Sequence, residues 1–233
     1  SPQPVAFAVS GALPPGLVLD PATGRIAGRP AWVGTYEVVI SGSNAAGAGG
    51  DALTIAIAPS ALTLAGAGVA TRPFNGTVAA TLDLSAAQLV GLAPEDAGAV
   101  GLDASAVVAA YDSPNVGTNK PVTFSGLALN GAAAPCYSLL PFSLTGTITP
   151  AVALVTLGQL DQLYDGSPRT VTVTTTPAGL GTAVTYAGNV AAPVAPGSYD
   201  VVATVVDPNY SGSVSARLTI QRLSQSVQFP TPA

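Results

Sequence analysis

The sequence contains no histidine, no methionine, one cysteine and one tryptophan in 233 residues. Without histidine the chain cannot build a Ser-His or Cys-His catalytic pair, or a zinc site supported by histidine. Because Cys136 is the single cysteine, a disulfide within the chain and a cysteine-rich metal site are both excluded. Cys136 would also lack the base that activates a nucleophilic thiol. We interpret it as a small, half-buried filler at the end of a strand.

Charge is scarce as well. Seven basic and 12 acidic residues make up 8% of the chain and give a net charge of −5, whereas about 25% of residues are charged in ordinary globular domains. The acidic balance and the lack of a basic cluster argue against nucleic acid and anionic membranes as partners. No apolar run approaches the roughly 18 residues of a membrane helix, and residues 1–4 carry no signal-peptide pattern. We expect an excised fragment that is monomeric and does not insert into membranes.

A repeated pair of strands is the strongest positive signal. Each copy has a Gly-x-Tyr strand and a later strand containing Leu-Thr-Ile, at Gly34–Ile40 with Leu53–Ile55 and at Gly197–Ala203 with Leu218–Ile220. In immunoglobulin-like sandwiches a tyrosine at this place hydrogen-bonds to backbone a few residues upstream, forming a tyrosine corner. Val38 and Val201 stand where antibodies carry the second cysteine, so we predict that both are packed. The pattern predicts an all-β fold of tandem immunoglobulin-like β-sandwich modules in an extended array.

Residues 1–59 are predicted to form the first module. It carries Leu-Pro-x-Gly-Leu, Asp-x-x-Thr-Gly-x-Ile-x-Gly-x-Pro and Gly-Thr-Tyr, at Leu13–Leu17, Asp20–Pro30 and Gly34–Tyr36. These motifs resemble the family named "Putative Ig domain", which occurs in bacterial surface proteins. Short strands are predicted at Val5–Val9, Leu17–Leu19 and Ile26–Pro30. The glycine-rich run Ala45–Gly50 is interpreted as a flexible hairpin end, since it lacks the strand and helix that flank a phosphate-binding loop.

Residues 60–150 are predicted to form the second module. Its motifs include Phe74-Asn75-Gly76, Val116–Thr123, Gly126–Gly131 and Thr145–Pro150. They resemble the YDG domain of bacterial haemagglutinin-like adhesins, with Phe74-Asn75-Gly76 in place of Tyr-Asp-Gly and Pro135-Cys136 in place of Gly-Asn. Single helical turns are predicted at Ser85–Leu89 and Pro94–Ala97.

Residues 151–222 are predicted to form the third module. Its motifs are Leu163–Pro168, the β-branched run Thr170–Thr174, Val184–Tyr186, Pro196–Tyr199 and Asp207–Tyr210. A run of this composition favours a strand, and the whole set resembles the MBG domain of bacterial surface proteins. Residues 223–233 are interpreted as the start of a further module or as a linker.

The acidic residues offer few constellations for chemistry. Glu37 and Glu95 lie in different modules, so a glycosidase-like carboxylate pair is disfavoured, and Glu95-Asp96 is better explained as the acidic first turn of a short helix. Calcium is the stronger rival because Asp207-Pro208-Asn209 and Asp20–Thr23 each supply a carboxylate and carbonyls. Each is more simply an Asx turn, and Asp161 with Asp165 is a weaker candidate. We therefore predict no catalytic, cofactor-binding or metal-binding residues.

The single lysine and the aromatic residues complete the candidates. Lys120 could form the Lys–Asn isopeptide bond known in Gram-positive adhesins, but its proline-flanked position predicts a solvated amine instead. A core or corner position is predicted for Phe7, Trp32, Tyr36, Tyr186 and Tyr199. Partial exposure is expected for Tyr111, Phe142 and Tyr210, where sugar stacking cannot be told from packing.

The resemblances imply an extracellular protein of the bacterial cell surface. The main hypothesis is a non-catalytic structural spacer region of a surface or secreted adhesin, whose parent protein binds host or matrix glycans or proteins. The first alternative is a module that binds glycan or protein directly through loops at one sandwich end. The second alternative is a set of accessory modules of an extracellular enzyme.

Overall fold

The computed structural model describes residues 6–224. These residues form 25 strands, two short 3-10 helices and the turns between them, and no α-helix occurs between Ala6 and Ser224. The predicted all-β class is therefore confirmed. In this part of the chain no helix is long and apolar enough to span a membrane. Val5 and most of the predicted further module, residues 225–233, lie outside the described residues.

The strands are short except for a few long hairpins. The first 60 residues contribute β1 Ala6–Ser10, β2 Leu17–Leu19, β3 Ile26–Gly28, β4 Gly34–Asn44 and β5 Gly47–Ile57. Residues 60–149 contribute β6 Ser60–Ala65, β7 Gly68–Val69, β8 Arg72–Pro73, β9 Ala79–Ala80, β10 Leu82–Asp83, β11 Gln88–Val90, β12 Gly101–Asp103, β13 Val108–Tyr111, β14 Gly117–Ser125, β15 Ala128–Asn130, β16 Tyr137–Leu139 and β17 Leu144–Thr149. The last are β18 Ala151–Val152, β19 Leu154–Gly158, β20 Asp161–Leu163, β21 Thr172–Thr176, β22 Thr182–Tyr186, β23 Gly197–Val205, β24 Tyr210–Ser211 and β25 Ser213–Gln221. The 3-10 helices are Pro94–Asp96 and Ala134–Cys136.

The chain divides into two compact units that are not continuous in sequence. The first consists of Ser1–Gly68, Thr81–Ala109 and Thr123–Leu144. The second consists of Val69–Ala80, Ala110–Val122 and Thr145–Ala233. Each unit thus combines one end of the chain with part of its middle.

The first unit contains the first of the two repeated hairpins. Strands β1, β4 and β5 form an antiparallel sheet in that order, and Val38 is only 2% exposed. The β4–β5 ladder runs to the pair Asn44↔Gly47. There the Asn44 side-chain oxygen accepts a hydrogen bond from the Ala46 N–H at 2.8 Å. The predicted flexible end from Ala45 to Gly50 is thus wrong in its extent, because backbone pairing continues through the glycines and leaves only a two-residue turn.

A second sheet of the first unit surrounds β6. This strand pairs with β11 in antiparallel and with β16 in parallel orientation. Its Leu62 is fully buried and packs in one cluster with Val100 and Tyr137. The predicted helical turn at Ser85–Leu89 is wrong: Asp83 instead caps a tight turn by accepting the Ser85 N–H, which lets β11 begin at Gln88. The turn predicted at Pro94–Ala97 is present as a 3-10 helix.

The second unit contains a sandwich built on the second hairpin. One sheet has the order β20-β25-β23-β22, and β19 pairs with β21 in another. Val155 of β19 packs against Ala203 and Val205 of β23, so the two sheets share a core. Val201 is fully buried with Leu218. The prediction that Val38 and Val201 are packed in place of a cysteine is therefore confirmed. The sandwich packing follows from the alternation along β23, where Val201, Ala203 and Val205 face the core.

The tyrosine corner is present in one hairpin and missing from the other. The Tyr199 hydroxyl donates a hydrogen bond to the Ala195 carbonyl at 2.9 Å, in the upstream position that a corner requires. The corner predicted at Tyr36 is not seen, because within residues 6–224 its hydroxyl has no hydrogen-bond partner. Both rings are half-buried rather than largely buried. The shared Gly-x-Tyr pattern thus specifies the hairpin but not the hydroxyl's bond.

Candidate functional site

Half of the ten aspartates of the chain cap turns. In these five a side-chain oxygen accepts the backbone N–H two residues on, at 2.7–3.0 Å: Asp20, Asp83, Asp103, Asp165 and Asp207. Short polar side chains favour this Asx turn because it satisfies a backbone donor locally. Hydrogen bonds from Thr23, Ser85 and Ser105 hold the pKa values of Asp20, Asp83 and Asp103 below their usual range. The Asx-turn interpretation of Asp20 and Asp207 is confirmed.

The two calcium candidates direct their oxygens to the protein itself. Both carboxylate oxygens of Asp20 are engaged, one by the Ala22 N–H and the other by the Thr23 hydroxyl. The Asn209 side-chain oxygen accepts the Val116 N–H at 2.9 Å. Among residues 6–224 no group of three or more acidic or cysteine side chains is arranged to hold a metal ion.

An arginine organises the Phe74-Asn75-Gly76 turn. The Arg72 guanidinium donates to the Asn75 side-chain oxygen at 2.6 Å and also to the carbonyls of Pro73 and Ala79. Asn75 accepts the Thr77 N–H as well, and Gly76 takes the left-handed conformation, with φ 77°. A residue with a Cβ is strained there. We call this arrangement the Arg72 clamp.

The same chemistry recurs at Tyr164-Asp165-Gly166. Arg169 forms an ion pair with Asp165 at 2.7 Å and donates to the Leu163 carbonyl. Gly166 is again left-handed, with φ 86°, and Asp165 caps the turn through Ser167. This Arg169 clamp uses a carboxylate where the Arg72 clamp uses an amide. The change from Tyr-Asp-Gly to Phe74-Asn75-Gly76 therefore preserves the turn, because both side chains supply the oxygen that the arginine and the backbone need.

Lys120 is not the solvated amine that its sequence position predicts. Its side chain is 11% exposed, and the ammonium group lies 2.8 Å from the Asp112 carboxylate and 2.7 Å from the Ser113 hydroxyl. The pKa of Asp112 is held below its usual range, chiefly by its hydrogen bond with Lys120. The prediction failed because Lys120 belongs to β14, a long strand that continues through Pro121. Because β14 lies next to β13 in the sheet, Lys120 is held beside the turn that follows β13.

Two of the aromatic predictions are corrected by the structure. Tyr111, expected to be partly exposed, is 3% exposed, and the Arg72 guanidinium lies 5.3 Å from its ring centre. Trp32, expected in the core or at a corner, is 51% exposed. Tyr186 is buried as predicted, while Phe142 and Tyr210 are half-buried.

Trp32 lies at a cleft in the first unit. The cleft has a volume of about 640 Å³, within the roughly 300–1,000 Å³ of small-molecule sites. One wall comes from residues 29–33 and 57–60, and the other from residues 95–99 and 132–137. We call it the Trp32 cleft; its chemically distinctive residues are Arg29, Trp32, Glu95, Asp96, Cys136 and Tyr137.

Charged groups from both walls meet in the Trp32 cleft. Arg29 forms ion pairs with Glu95 and, at 3.8 Å, with Asp96. The Tyr137 hydroxyl donates to the Asp96 carboxylate at 2.6 Å and accepts the Ala93 N–H at 3.2 Å. This hydrogen bond to Asp96 is the main reason that the pKa of Tyr137 is raised. The buried tyrosine thus fixes the position of a carboxylate that is 27% exposed.

Cys136 lies in the same cleft and donates a hydrogen bond from its Sγ to the Ala31 carbonyl at 3.3 Å. It is half-buried and ends a 3-10 helix, just before β16 rather than at the end of a strand. Sequence reasoning placed Glu95 and Asp96 in a helical turn correctly but missed their pairing with Arg29. The only available signal was charge complementarity between distant positions.

The fold and these turns define a protein made of immunoglobulin-like and related all-β modules. The chain carries three domains of known families in succession. Residues 2–60 match the model described as "Putative Ig domain", residues 58–145 the YDG domain and residues 153–224 the MBG domain. This order is the one that the sequence motifs predicted. We refer below to these ranges as the Ig, YDG and MBG segments; the module boundaries proposed above at 59/60 and 150/151 stay predictions.

The solved structures that match the chain are distant from it. The chain resembles mouse protocadherin-24 EC1-3 at 10% identity and a TM-score of 0.24, over 94% of this chain and 90% of that one. It also resembles the endo-fucoidan hydrolase MfFcnA4 of glycoside hydrolase family 107, at 9% identity and a TM-score of 0.21, over 95% of this chain and 39% of that one. Likeness at this level carries no functional argument. No curated protein matches the chain.

Proposed function

We propose that this chain is a non-catalytic structural region of a bacterial surface or secreted adhesin, and that its modules space a binding region from its anchor. The three domain families, typical of surface adhesin-like proteins, follow one another at 2–60, 58–145 and 153–224, so that the first two ranges overlap and seven residues separate the last two. A spacer benefits from such short connections, because a long flexible linker would let neighbouring modules move independently.

Direct bonding between the YDG and MBG segments carries the proposal. Asn209 of the MBG segment accepts the Val116 N–H of the YDG segment at 2.9 Å. Phe74 and Tyr210 meet edge to face, with ring centres 5.4 Å apart. Just before the MBG segment, Ala151 donates its N–H to the Asn209 carbonyl at 3.0 Å. All these residues belong to the second unit, so hydrogen bonds and aromatic packing hold this part of the YDG segment to the MBG segment and restrict bending between them.

The acidic side chains support a structural function as well. Those of Asp20, Asp83 and Asp103 accept hydrogen bonds from their own turns, which lowers their pKa values. A general acid or base works best when its pKa is near the operating pH. Carboxylates with lowered pKa values are suited to holding turns, and we propose that the chain has no catalytic activity.

Surface display tests the spacer proposal. The chain is placed between a cell-wall anchor and a small reporter binding domain on a bacterium, and capture of reporter ligand coupled to large beads is measured. Removing the whole chain, so that no compact unit is left incomplete, should reduce capture, and an unrelated β-sandwich protein of equal length should restore it. If the unrelated sandwich fails to restore capture although the reporter is displayed equally, the spacer proposal is wrong.

A further inference from the structure

The Trp32 cleft has features that a spacer does not need. Trp32 is 51% exposed, although burying an indole ring is strongly favourable. It is accompanied by a guanidinium and two carboxylates, one of which is fixed by Tyr137. Binding sites commonly combine an apolar or aromatic wall with a few oriented polar groups.

We propose that the Trp32 cleft binds a neutral pyranose unit of a glycan. A pyranose ring has a face of C–H groups, which packs on an exposed aromatic ring, and a rim of hydroxyls, which hydrogen-bond to charged side chains. Trp32 supplies the aromatic ring, Asp96 and Glu95 supply acceptors, and Arg29 supplies donors. Hydrogen bonds to charged groups are roughly twice as strong as those between neutral groups. The four residues together therefore offer an aromatic ring to the C–H face of the sugar and strong hydrogen-bonding partners to its hydroxyl rim.

The charge of the cleft selects between sugar classes. One guanidinium faces two carboxylates, so these three groups carry a net charge of one negative unit. An acidic sugar would be repelled by this excess, and like charges brought together cost free energy. The site therefore favours neutral hexoses over uronic or sialic acids. This inference is independent of the spacer proposal, which stands whether or not the cleft binds a sugar.

Two residues that each occur once in the chain make binding at the Trp32 cleft measurable. Trp32 is the single tryptophan and Cys136 the single cysteine, and both line the cleft. Tryptophan emission and the rate of thiol labelling therefore both report on this site. The probes are methyl glycosides of glucose, galactose, mannose and N-acetylglucosamine, with glucuronic acid as the acidic comparison.

We expect at least one neutral glycoside to change Trp32 emission saturably and to slow labelling of Cys136, with a Kd of about 1 mM. Glucuronic acid should bind more weakly. Asp96→Asn and Arg29→Ala should each weaken binding by about tenfold, through loss of a charged hydrogen bond. Arg217→Ala is the matched control, because Arg217 forms an exposed ion pair with Asp200 in the second unit, and it should leave binding unchanged.

Three outcomes would overturn the proposal. The first is that none of the neutral glycosides changes emission or labelling and that a neutral-glycan array is also negative. The second is binding that persists in Trp32→Ala, measured by saturation-transfer NMR on a variant whose circular dichroism is unchanged. The third is a cleft that takes only acidic sugars or peptides. Because Trp32 is half-exposed, its replacement should leave the fold intact.

Discussion

The side-chain oxygen of Asn209 accepts a hydrogen bond from the Val116 N–H at 2.9 Å, although 93 positions separate the two residues. Asp207 supports this contact. Its side-chain oxygen accepts the Asn209 N–H at 2.7 Å, which orders the loop that carries the asparagine. An Asx turn in the MBG segment thus satisfies a backbone donor in the YDG segment. Local turn chemistry and the junction between segments are therefore coupled.

Replacing Asn209 tests this coupling. Asn209→Ala leaves the part-buried Val116 N–H without its acceptor, and we expect the free energy of unfolding to fall by about 1–3 kcal/mol. Asn209→Asp retains the oxygen that accepts from Val116 and loses only the 3.3 Å exposed hydrogen bond from the Asn209 Nδ2 to the Asn115 Oδ1, so it should cost less. Urea unfolding measures both variants, and hydrogen exchange at Val116 should accelerate in the alanine variant alone. Equal losses in the two variants would mean that this hydrogen bond does not stabilise the junction.

The two hairpin tyrosines provide an internal comparison. Tyr199→Phe removes the hydroxyl that donates to the Ala195 carbonyl, and we expect a loss of about 0.5–1.5 kcal/mol. Tyr36→Phe should have an effect near zero, because no partner for its hydroxyl exists within residues 6–224. Thermal unfolding of the two variants is compared with the parent chain. A larger loss for Tyr36→Phe would reverse the assignment of the corner.

The acceptor residues of the two arginine clamps, Asn75 and Asp165, can be exchanged for one another by mutation. Asn75→Asp gives Arg72 a carboxylate partner, and Asp165→Asn removes one from Arg169 while leaving the turn's acceptor in place. We expect the first to raise the melting temperature and the second to lower it, each by an amount equivalent to about 0.2–1 kcal/mol. Both changes should shrink at high salt, because screening weakens exposed pairs. Changes of the same sign would show that the clamps are not equivalent.

Sequence reasoning predicted what depends on local pattern. Gly-x-Tyr identified the β4–β5 and β23–β25 hairpins, and the aspartates at turns were recognised from their neighbours. It failed where a side chain meets a distant partner. Lys120 pairs with Asp112 because β14 is held beside the turn after β13. Trp32 lies beside a wall formed by residues 95–99 and 132–137, and a single tryptophan in a turn does not tell whether the opposite surface is closed or open.

Acid should destabilise the fold through its turn aspartates. The pKa values of Asp20, Asp83, Asp103 and Asp112 are lowered in the folded chain, so their stabilisation is present above the unfolded-state pKa, about 3.9. It is lost as the pH falls through the lower folded values. We expect a constant melting temperature between about pH 7 and pH 5 and a fall below about pH 4.

Asparagine keeps the Asx acceptor but does not titrate, so Asp20→Asn, Asp83→Asn and Asp103→Asn combined should reduce this acid-induced fall. Thermal unfolding monitored by circular dichroism, followed from pH 7 to pH 2.5, measures the effect. An unchanged pH profile in the triple variant would locate the acid sensitivity elsewhere.

Removing divalent metal should leave the chain's stability unchanged. A calcium ion needs about six oxygen ligands. Asp20 and Asp207 each stand in a turn that their own carboxylate caps, and among residues 6–224 no group of three or more acidic side chains is arranged to share an ion. A ligand that binds only the folded state raises the melting temperature. Equal melting temperatures in EDTA and in excess calcium are therefore expected. A calcium-dependent rise of several degrees would contradict this, and Asp20→Ala and Asp207→Ala would then identify the turn that binds the ion. That result would replace a spacer held by its own hydrogen bonds with one that is rigidified by calcium.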